Sequence, residues 1–273
     1  MKVGVIGGGL MGLALADRLA QAGHELEIFE QGQQLGGLAT WQEYDRFTWD
    51  KFYHVILPTD EHLVGLIETI GLGEQLRWQK TGTGYFVDQK MHSVSSTQDF
   101  LKFEPLSLWS KFRLGLTILY GAMLNDWQSL EKMTVEDWLI RYSGKKTYEK
   151  FWRPLLLAKL GESYRRVSAV FIWTYIKRLY SARSSAAKAE HMGYVQGGYK
   201  TIFNRLENRL LERNAKIHLG VGVEQITASP QGMTIQSGGE QLPFDKVVYN
   251  GDDLEMMSSL SKTDLLVGVS HPF

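Results

Sequence analysis

The opening of the chain holds the pattern that most restricts its fold: an apolar segment, a glycine-rich turn and a helical pattern in direct succession. Residues 2–6 (KVGVI) have the β-branched, apolar character of a buried strand, and residues 13–23 (LALADRLAQAG) have helical periodicity. Glycines at positions 7, 9 and 12 complete the spacing G-x-G-x-x-G between them. Gly7 permits the tight turn, Gly9 lets the main chain approach a diphosphate, and Gly12 lets the helix pack closely on the strand. The segment therefore predicts a dinucleotide site.

The start of the helix and an acid after the next strand complete this predicted site. The first helical N–H groups, including those of Leu10 and Met11, point at the phosphates with the favourable end of the helix dipole. Residues 24–29 (HELEIF) alternate between polar and apolar side chains, which predicts a second strand, and Glu30 follows directly. The Glu30 carboxylate can accept both hydroxyl protons of an adenosine ribose, close to the usual spacing of about 20 residues from the glycines. An acid without a neighbouring Arg favours a free 2′-hydroxyl and argues against NADP.

A second glycine pair directly after this acid favours FAD over NAD. Residues 31–40 read QGQQLGGLAT, with Gly36 and Gly37 adjacent. A second close approach of the main chain suits a cofactor whose diphosphate continues into a ribityl chain. Together, GGGLMG, the pair FE at 29–30 and LGGLAT resemble the FAD-dependent amine oxidase, phytoene desaturase and protoporphyrinogen oxidase superfamily. Leu38 stands where many relatives carry Arg, which favours the desaturase-like branch.

The resemblance implies two further cofactor contacts. His54, in the segment TWDKFYHVI, matches a residue that lies near the isoalloxazine in relatives, with Tyr53 and Lys51 beside it. An ordinary histidine bonded to the main chain is an equal alternative. Val223 matches a strand valine whose main-chain N–H and C=O hold adenine in relatives, although a buried valine in a parallel strand would give the same residue type. The predicted cofactor-binding residues are therefore Gly7, Gly9, Leu10, Met11, Gly12, Glu30, Gly36, Gly37, Leu38, His54 and Val223.

The rest of the chain predicts an α/β fold with an inserted helical region. Residues 1–78 and 190–273 are assigned to a discontinuous, Rossmann-like FAD-binding domain with three layers and a mainly parallel sheet. Residues 79–189 are assigned to an inserted substrate domain, a short hairpin followed by helices, because strand signals give way to helical periodicity there. The run KIHLGVGVEQI (216–226) predicts one continuous strand.

Two features of the inserted region carry separate predictions. The apolar run LGLTILYGAML (114–124) is too short to span a bilayer, for which about 20 residues are needed. It is either a core helix or a helix that faces a membrane or a substrate tunnel, because Lys111 and Arg113 precede it and relatives that act on isoprenoids dock on membranes. Thr134, with Asp137 three residues later, predicts a capped helix start.

Bulk properties exclude several classes of function. The formal net charge is zero, so nothing indicates a field that would attract nucleic acid. The chain contains no Cys, which excludes disulfides, thiolate catalysis and cysteine-bound metal, and its 7 His residues are scattered without metal-ligand spacing. The first predicted strand begins at residue 2, which leaves no room for a signal peptide. We expect a cytoplasmic protein, with peripheral membrane contact as an open alternative.

The predicted function is FAD-dependent oxidation. Hydride would pass from a C–H or N–H bond of a bulky apolar substrate to flavin N5, and the Trp-rich helical region favours an isoprenoid or a tetrapyrrole. No residue can be assigned as a catalytic base. Two alternatives remain: a non-redox flavin enzyme resembling UDP-galactopyranose mutase, and a truncated nucleotide-binding fragment without catalysis. The resemblance ends near residue 250, and the remaining segment, with a strand-like run at 265–269, indicates truncation at the C-terminus relative to the family.

Overall fold

The computed structural model describes residues 1–52, 54–82, 84–87, 89–94, 97–184 and 191–251. These residues form two compact units. Unit 1 comprises Met1–Val55, His62–Arg77 and the segment that begins at Tyr194, and unit 2 comprises Ile56–Glu61 and Trp78–Gly193. Tyr53 and the predicted strand-like run at 265–269 lie outside the described residues.

A four-stranded parallel sheet forms the centre of unit 1. Its strands in spatial order are β13 (Lys246–Tyr249), β1 (Lys2–Ile6), β2 (Glu25–Glu30) and β9 (Lys216–Leu219). Every neighbouring pair in this sheet is parallel. Parallel strands end at a common edge, so the carboxyl ends of β1, β2 and β13 meet at the turn that follows β1.

Two further layers cover this sheet. Helices α1 (Leu10–Gln21) and α10 (Tyr199–Leu211) pack on each other, and α1 also contacts β1 and β2. An antiparallel meander of β10 (Val223–Ser229), β11 (Gly232–Ser237) and β12 (Glu240–Phe244) forms the third layer, in which Ile235 and Phe244 share an apolar cluster with Ile6 and Phe29. Side chains alternate along a strand, so the buried Val5 and Ile28 lie on the helix-covered face. The predicted α/β fold with a mainly parallel sheet is confirmed.

The predicted continuous strand over residues 216–226 is wrong. The chain leaves the parallel sheet after Leu219 and enters the antiparallel meander at Val223. Gly220 adopts a φ of 70°, which an L-residue rarely adopts, and its N–H donates to the Gly32 carbonyl at 2.8 Å. The segments before and after this break both alternate between apolar and polar residues. Periodicity alone therefore could not show that they belong to different sheets.

The remaining elements of unit 1 connect these layers. A hairpin of β3 (Trp41–Tyr44) and β4 (Phe47–Asp50) follows the second glycine pair, and α2 (Glu61–Thr69) ends before Gly71, which has a φ of 81°. Two short 3-10 turns occupy Gly37–Ala39 and Gly73–Gln75. Strand β5 (Leu76–Lys80) pairs with β8 (His191–Val195), and the boundary of the two units falls within these two strands.

Unit 2 begins with a hairpin and continues as helices. Strands β6 (Gly84–Val87) and β7 (Lys90–Ser93) pair antiparallel, as predicted for this stretch, whose turn residue Asp88 lies outside the described residues. The helices are α3 (Thr97–Leu101), α4 (Leu108–Met123), α5 (Gln128–Glu131), α6 (Val135–Ser143), α7 (Lys145–Thr147), α8 (Arg153–Leu160) and α9 (Ala169–Ser184), with a π-helical segment at Tyr148–Trp152 and a 3-10 helix at Gly161–Arg166. Their core is aromatic, with Phe103, Trp138, Tyr148, Trp152 and Tyr164 buried in one cluster.

Local sequence signals set several of these helix ends. The Thr134 hydroxyl oxygen accepts the Asp137 N–H at 3.1 Å and begins α6, as predicted. Gly144, with a φ of 86°, ends that helix. Pro154 lies in the first turn of α8, where its missing N–H leaves no hydrogen bond unmade.

Helix α4 contains the longest apolar run and has two different sides. Leu114, Thr117 and Gly121 are buried, and Gly121 packs close to Trp138 and Ile176. The other side is exposed to solvent and consists of apolar residues and one tyrosine: Leu108, Trp109, Phe112, Leu116, Leu119, Tyr120 and Met123. Within the described ranges, no helix is long and apolar enough to cross a membrane.

Candidate functional site

The turn between β1 and α1 has the geometry that its three glycines require. Gly7 has a φ of 105°, and a β-carbon on Gly12 would lie 2.1 Å from the Gly7 carbonyl oxygen. No larger residue than glycine therefore fits at position 12 while the helix keeps this distance from the strand. Around Gly9 the space is open, because the nearest atom to a β-carbon there is Asn250 Nδ2 at 4.0 Å. A diphosphate can approach the main chain at that point.

The N-terminus of α1 offers unpaired donors to such an anion. Gly9 is the N-cap residue, α1 has no side-chain cap, and its first turn contains no acidic residue. The N–H groups of Leu10 and Met11 belong to this first turn, which carries the positive end of the helix dipole. The Met11 side chain is exposed, so the contact predicted for this residue involves its main-chain N–H and stays a prediction.

Glu30 lies beside this turn at the carboxyl end of β2. Its Oε2 accepts the Gly8 N–H at 2.7 Å and its Oε1 accepts the Gly32 N–H at 2.7 Å. A carboxylate has about four acceptor positions, so two remain for the hydroxyl groups of a ribose. The main chain therefore holds the predicted ribose acid in a fixed orientation.

The second glycine pair packs directly on the first. The Gly36 N–H donates to the Gly8 carbonyl at 3.0 Å, and a β-carbon on Gly37 would lie 3.3 Å from Gly9 Cα. Both residues have positive φ angles, 135° and 54°. The Leu38 side chain that follows is 80% exposed. The structure thus brings the glycines of positions 7–12, Glu30 and positions 36–38 together at one edge of the sheet.

His54 and Val223 lie elsewhere in unit 1. His54 Nδ1 is 3.0 Å from the Phe52 carbonyl oxygen, and its ring centroid is 5.4 Å from that of Tyr199 at the start of α10. Val223 opens β10, pairs with Ser237 of β11 and packs against the cluster between the sheet and the meander. None of these contacts involves the glycine-rich edge, and the cofactor roles of both residues stay predictions.

Asp50 is a polar residue that the sequence did not single out. Its Oδ1 accepts the Tyr199 N–H at 3.1 Å and thereby caps α10 from the end of β4. Burial raises the pKa of Asp50, against the opposing effects of the Tyr199 N–H and His54. Burial, together with the Asp50 charge, also raises the pKa of Tyr194. One signal in the sequence pointed to such a distant cap: Gly197 and Gly198 directly precede α10, and glycine has no side chain that could cap the helix.

Within the described part of the chain, no group of His, Asp and Glu is arranged to hold a metal. A parallel sheet with this turn, a free helix N-terminus and an acid after the second strand instead defines a dinucleotide-binding protein of the Rossmann-like class.

Comparison with known proteins identifies the family. Residues 10–252 match the family described as flavin containing amine oxidoreductase, and the chain belongs to this family. Membership implies FAD as the cofactor. The open main chain at Gly9, the uncapped start of α1 and the free acceptor positions of Glu30 fit the diphosphate and the ribose of FAD.

Individual relatives are similar over most of this chain but are longer. Zeta-carotene desaturase of Synechocystis sp. is 27% identical over 68% of this chain and 43% of its own length. A 4,4'-diapophytoene desaturase of Staphylococcus haemolyticus is 25% identical over 92% of this chain and 55% of its own. The crystal structure of an oxidoreductase from Methanosarcina mazei, 22% identical, aligns with a TM-score of 0.66 over 92% of this chain and 58% of its own. The chain spans about half the length of the curated relatives it matches.

Proposed function

We propose that this chain is an FAD-dependent oxidoreductase of the desaturase type. The observation that carries the proposal is the convergence of an open glycine turn, an uncapped helix start and an oriented carboxylate at one sheet edge. When bound, FAD supplies the redox chemistry, because its isoalloxazine accepts a hydride from a C–H or N–H bond. A proton leaves the adjacent atom to complete the double bond.

The residues of unit 1 divide the binding task among them. The first-turn amides of α1 hold the diphosphate, and Glu30 accepts the hydroxyl protons of the adenosine ribose. Gly36, Gly37 and the Leu38 main chain follow the ribityl side, where the second glycine pair packs on the first. We assign His54 to the neighbourhood of the flavin ring and the Val223 main chain to adenine.

The proposed substrate is a bulky apolar molecule of the isoprenoid type, with a tetrapyrrole as the alternative. Both desaturases described above are named for carotenoid substrates. We propose residues 79–189 as the substrate domain and residues 1–78 and 190–273 as the FAD domain. The aromatic core of unit 2 supports this division, since the unit has its own buried cluster and folds around it.

Titration with FAD tests the proposal. The wild-type chain is expected to bind FAD and to turn yellow, and Glu30→Gln is expected to weaken binding about 10- to 100-fold, because it removes a charged acceptor from two ribose hydroxyls. Quenching of FAD fluorescence gives the dissociation constant. Glu25→Gln, at the exposed start of the same strand, is the matched control and should bind as wild type does. A colourless wild type that cannot be reconstituted would contradict the proposal.

Substrate turnover separates the desaturase from a mutase. The FAD-loaded chain is mixed without oxygen either with a carotenoid precursor or with UDP-galactopyranose. Bleaching of the flavin absorbance with a more conjugated carotenoid product supports the desaturase. Conversion of the sugar nucleotide without lasting bleaching identifies the non-redox enzyme.

We also propose that α4 docks on a lipid membrane. Its exposed face runs along 16 residues, about 24 Å, and contains no charged side chain. The two basic residues within the helix point elsewhere: Lys111 Nζ donates to the Leu101 carbonyl at 2.5 Å, and Arg113 Nη2 donates to the Tyr142 carbonyl at 3.0 Å. A carotenoid dissolves in lipid and not in water, so an enzyme that acts on it gains access to it by contact with the bilayer.

Sedimentation with vesicles tests this docking. We expect the chain to sediment with neutral phosphatidylcholine vesicles, because the face is apolar and needs no anionic lipid. Phe112→Gln with Leu116→Gln should lower the bound fraction at least about 10-fold, since each buried side chain of this size contributes roughly 1.5–3 kcal/mol. The control is Leu211→Gln, an exposed leucine of α10. Equal sedimentation of the double variant, or self-association without vesicle binding, would contradict the proposal.

A further inference from the structure

Asn250 lies beside the glycine turn, at the end of the strand that pairs with β1. It directly follows β13, and its N–H donates to the Ile6 carbonyl at 2.8 Å. Since β13 runs parallel to β1, this hydrogen bond extends the ladder by one residue and brings Asn250 next to the turn. A lone asparagine after a strand forms no sequence motif.

The Asn250 side chain lies over the position where a diphosphate would approach. Its Nδ2 is 3.3 Å from a β-carbon built on Gly12 and 4.0 Å from one built on Gly9. A β-carbon on Gly7 would meet the Asn250 main-chain oxygen at 2.7 Å. Asn250 therefore lies beside Gly7 and Gly12, and its side-chain amide borders the open space at Gly9.

Among the described residues, the Asn250 side-chain amide has no partner and can bind a ligand. The side chain is half-buried, and within residues 1–251, apart from their undescribed gaps, it forms no hydrogen bond. A partly buried amide without a partner is costly, so such groups usually bind water or a ligand. Around it lie the uncapped start of α1 and the open main chain of Gly9, which favour an anion.

We propose that Asn250 Nδ2 donates a hydrogen bond to the diphosphate of FAD. The inference rests on the proposed FAD site and adds a side-chain donor to the main-chain donors of α1. The amide is neutral, so it contributes a directional hydrogen bond and no charge. The negative charge of the diphosphate interacts with the positive end of the α1 dipole.

Two substitutions at this position test the donor role. Asn250→Ala removes the donor and should weaken FAD binding about 10-fold. Asn250→Asp keeps the shape but replaces the NH₂ group by a charged oxygen, and should weaken binding about 100-fold at low salt. Lower pH, which protonates the new carboxyl group, should recover part of the loss. Asn204→Asp, an exposed asparagine of α10, is the matched control for the charge change.

Titration with ADP and with adenosine shows which part of FAD the Asn250 side chain contacts. The affinity for ADP, which has the diphosphate but no flavin, should fall by the same factor as the affinity for FAD in each variant. The affinity for adenosine, which lacks phosphate, should stay unchanged. Urea unfolding of the apoproteins shows whether a variant is folded, and Asn250→Leu, which has a similar size but no donor and should also weaken binding about 10-fold, replaces Asn250→Ala if that variant is not folded.

The possible outcomes are distinct. Equal FAD affinity of Asn250→Ala and wild type would overturn the inference. Wild-type affinity of Asn250→Asp together with weak binding of Asn250→Ala would also overturn it, since the amide would then accept a hydrogen bond from a hydroxyl group. If wild type itself binds no FAD, the proposed function fails. If wild type binds and the variants do not differ from it, only the role of Asn250 fails.

Discussion

Glu27 is a buried acid, three residues before Glu30, that contacts two lysines and a histidine. Its carboxylate lies 3.0 Å from Lys2 Nζ, 3.3 Å from Lys216 Nζ and 3.1 Å from His218 Nε2. Burial alone would raise the pKa of Glu27, but the hydrogen bonds from these three side chains outweigh it and lower the pKa. Its role is structural, since Glu27 ties the three strands β1, β2 and β9 together.

The lowered pKa of Glu27 predicts a dependence of stability on pH. A carboxyl group with a lower pKa in the folded state stabilises the fold above its unfolded pKa, about 4.5 here, and loses this contribution as pH falls through the folded value. We expect Glu27→Gln to cost about 1–2 kcal/mol at pH 7 and progressively less below pH 4. Urea unfolding between pH 3 and pH 7 measures the difference, with Glu25→Gln as the exposed control. Parallel curves for variant and wild type would refute this role.

Two helices show the difference between a local and a distant cap. Helix α6 is capped by Thr134, which directly precedes it, and this cap follows from the sequence. Helix α10 is capped by Asp50, which is 149 residues away in the chain. A β-carbon on Gly198 would lie 2.9 Å from Asp50 Oδ1, so the glycine that precedes α10 leaves room for the distant carboxylate.

The cap of α6 gives a prediction for unit 2. Thr134→Ala removes the acceptor of the Asp137 N–H and should lower the free energy of unfolding by about 1 kcal/mol. Thr134→Ser keeps the hydroxyl group, and its free energy of unfolding should differ from that of wild type by only a few tenths of a kcal/mol. Urea denaturation of the whole chain is the measurement. A loss as large in the serine variant as in the alanine variant would show that the threonine methyl group, and not the cap, matters.

At the scale of the whole molecule, every predicted cofactor residue belongs to unit 1. This unit draws its residues from both ends of the described chain: the glycine turns and Glu30 come from the first 40 residues, whereas Val223 and Asn250 follow more than 180 residues later. A site of this kind forms only when the parallel sheet is complete, because β13 pairs with β1. None of the predicted cofactor residues lies in unit 2, for which we propose a role in substrate binding.

The sequence by itself determined the glycine turn after β1, the acid at the end of β2 and the second glycine pair. These features are local: glycine is needed where φ is positive or where backbones touch, as at Gly7 and Gly12, and such needs appear as fixed spacings. Periodicity likewise gave the hairpin of β6 and β7 and the helical character of unit 2.

Only the tertiary structure decided which distant residues join the site. The break between β9 and β10, the cap that Asp50 provides for α10 and the position of Asn250 over the glycine turn all depend on contacts between segments far apart in sequence. The same residues would have the same local pattern in another arrangement of strands. Strand order, which long-range pairing and packing select, therefore decides which distant residues become neighbours.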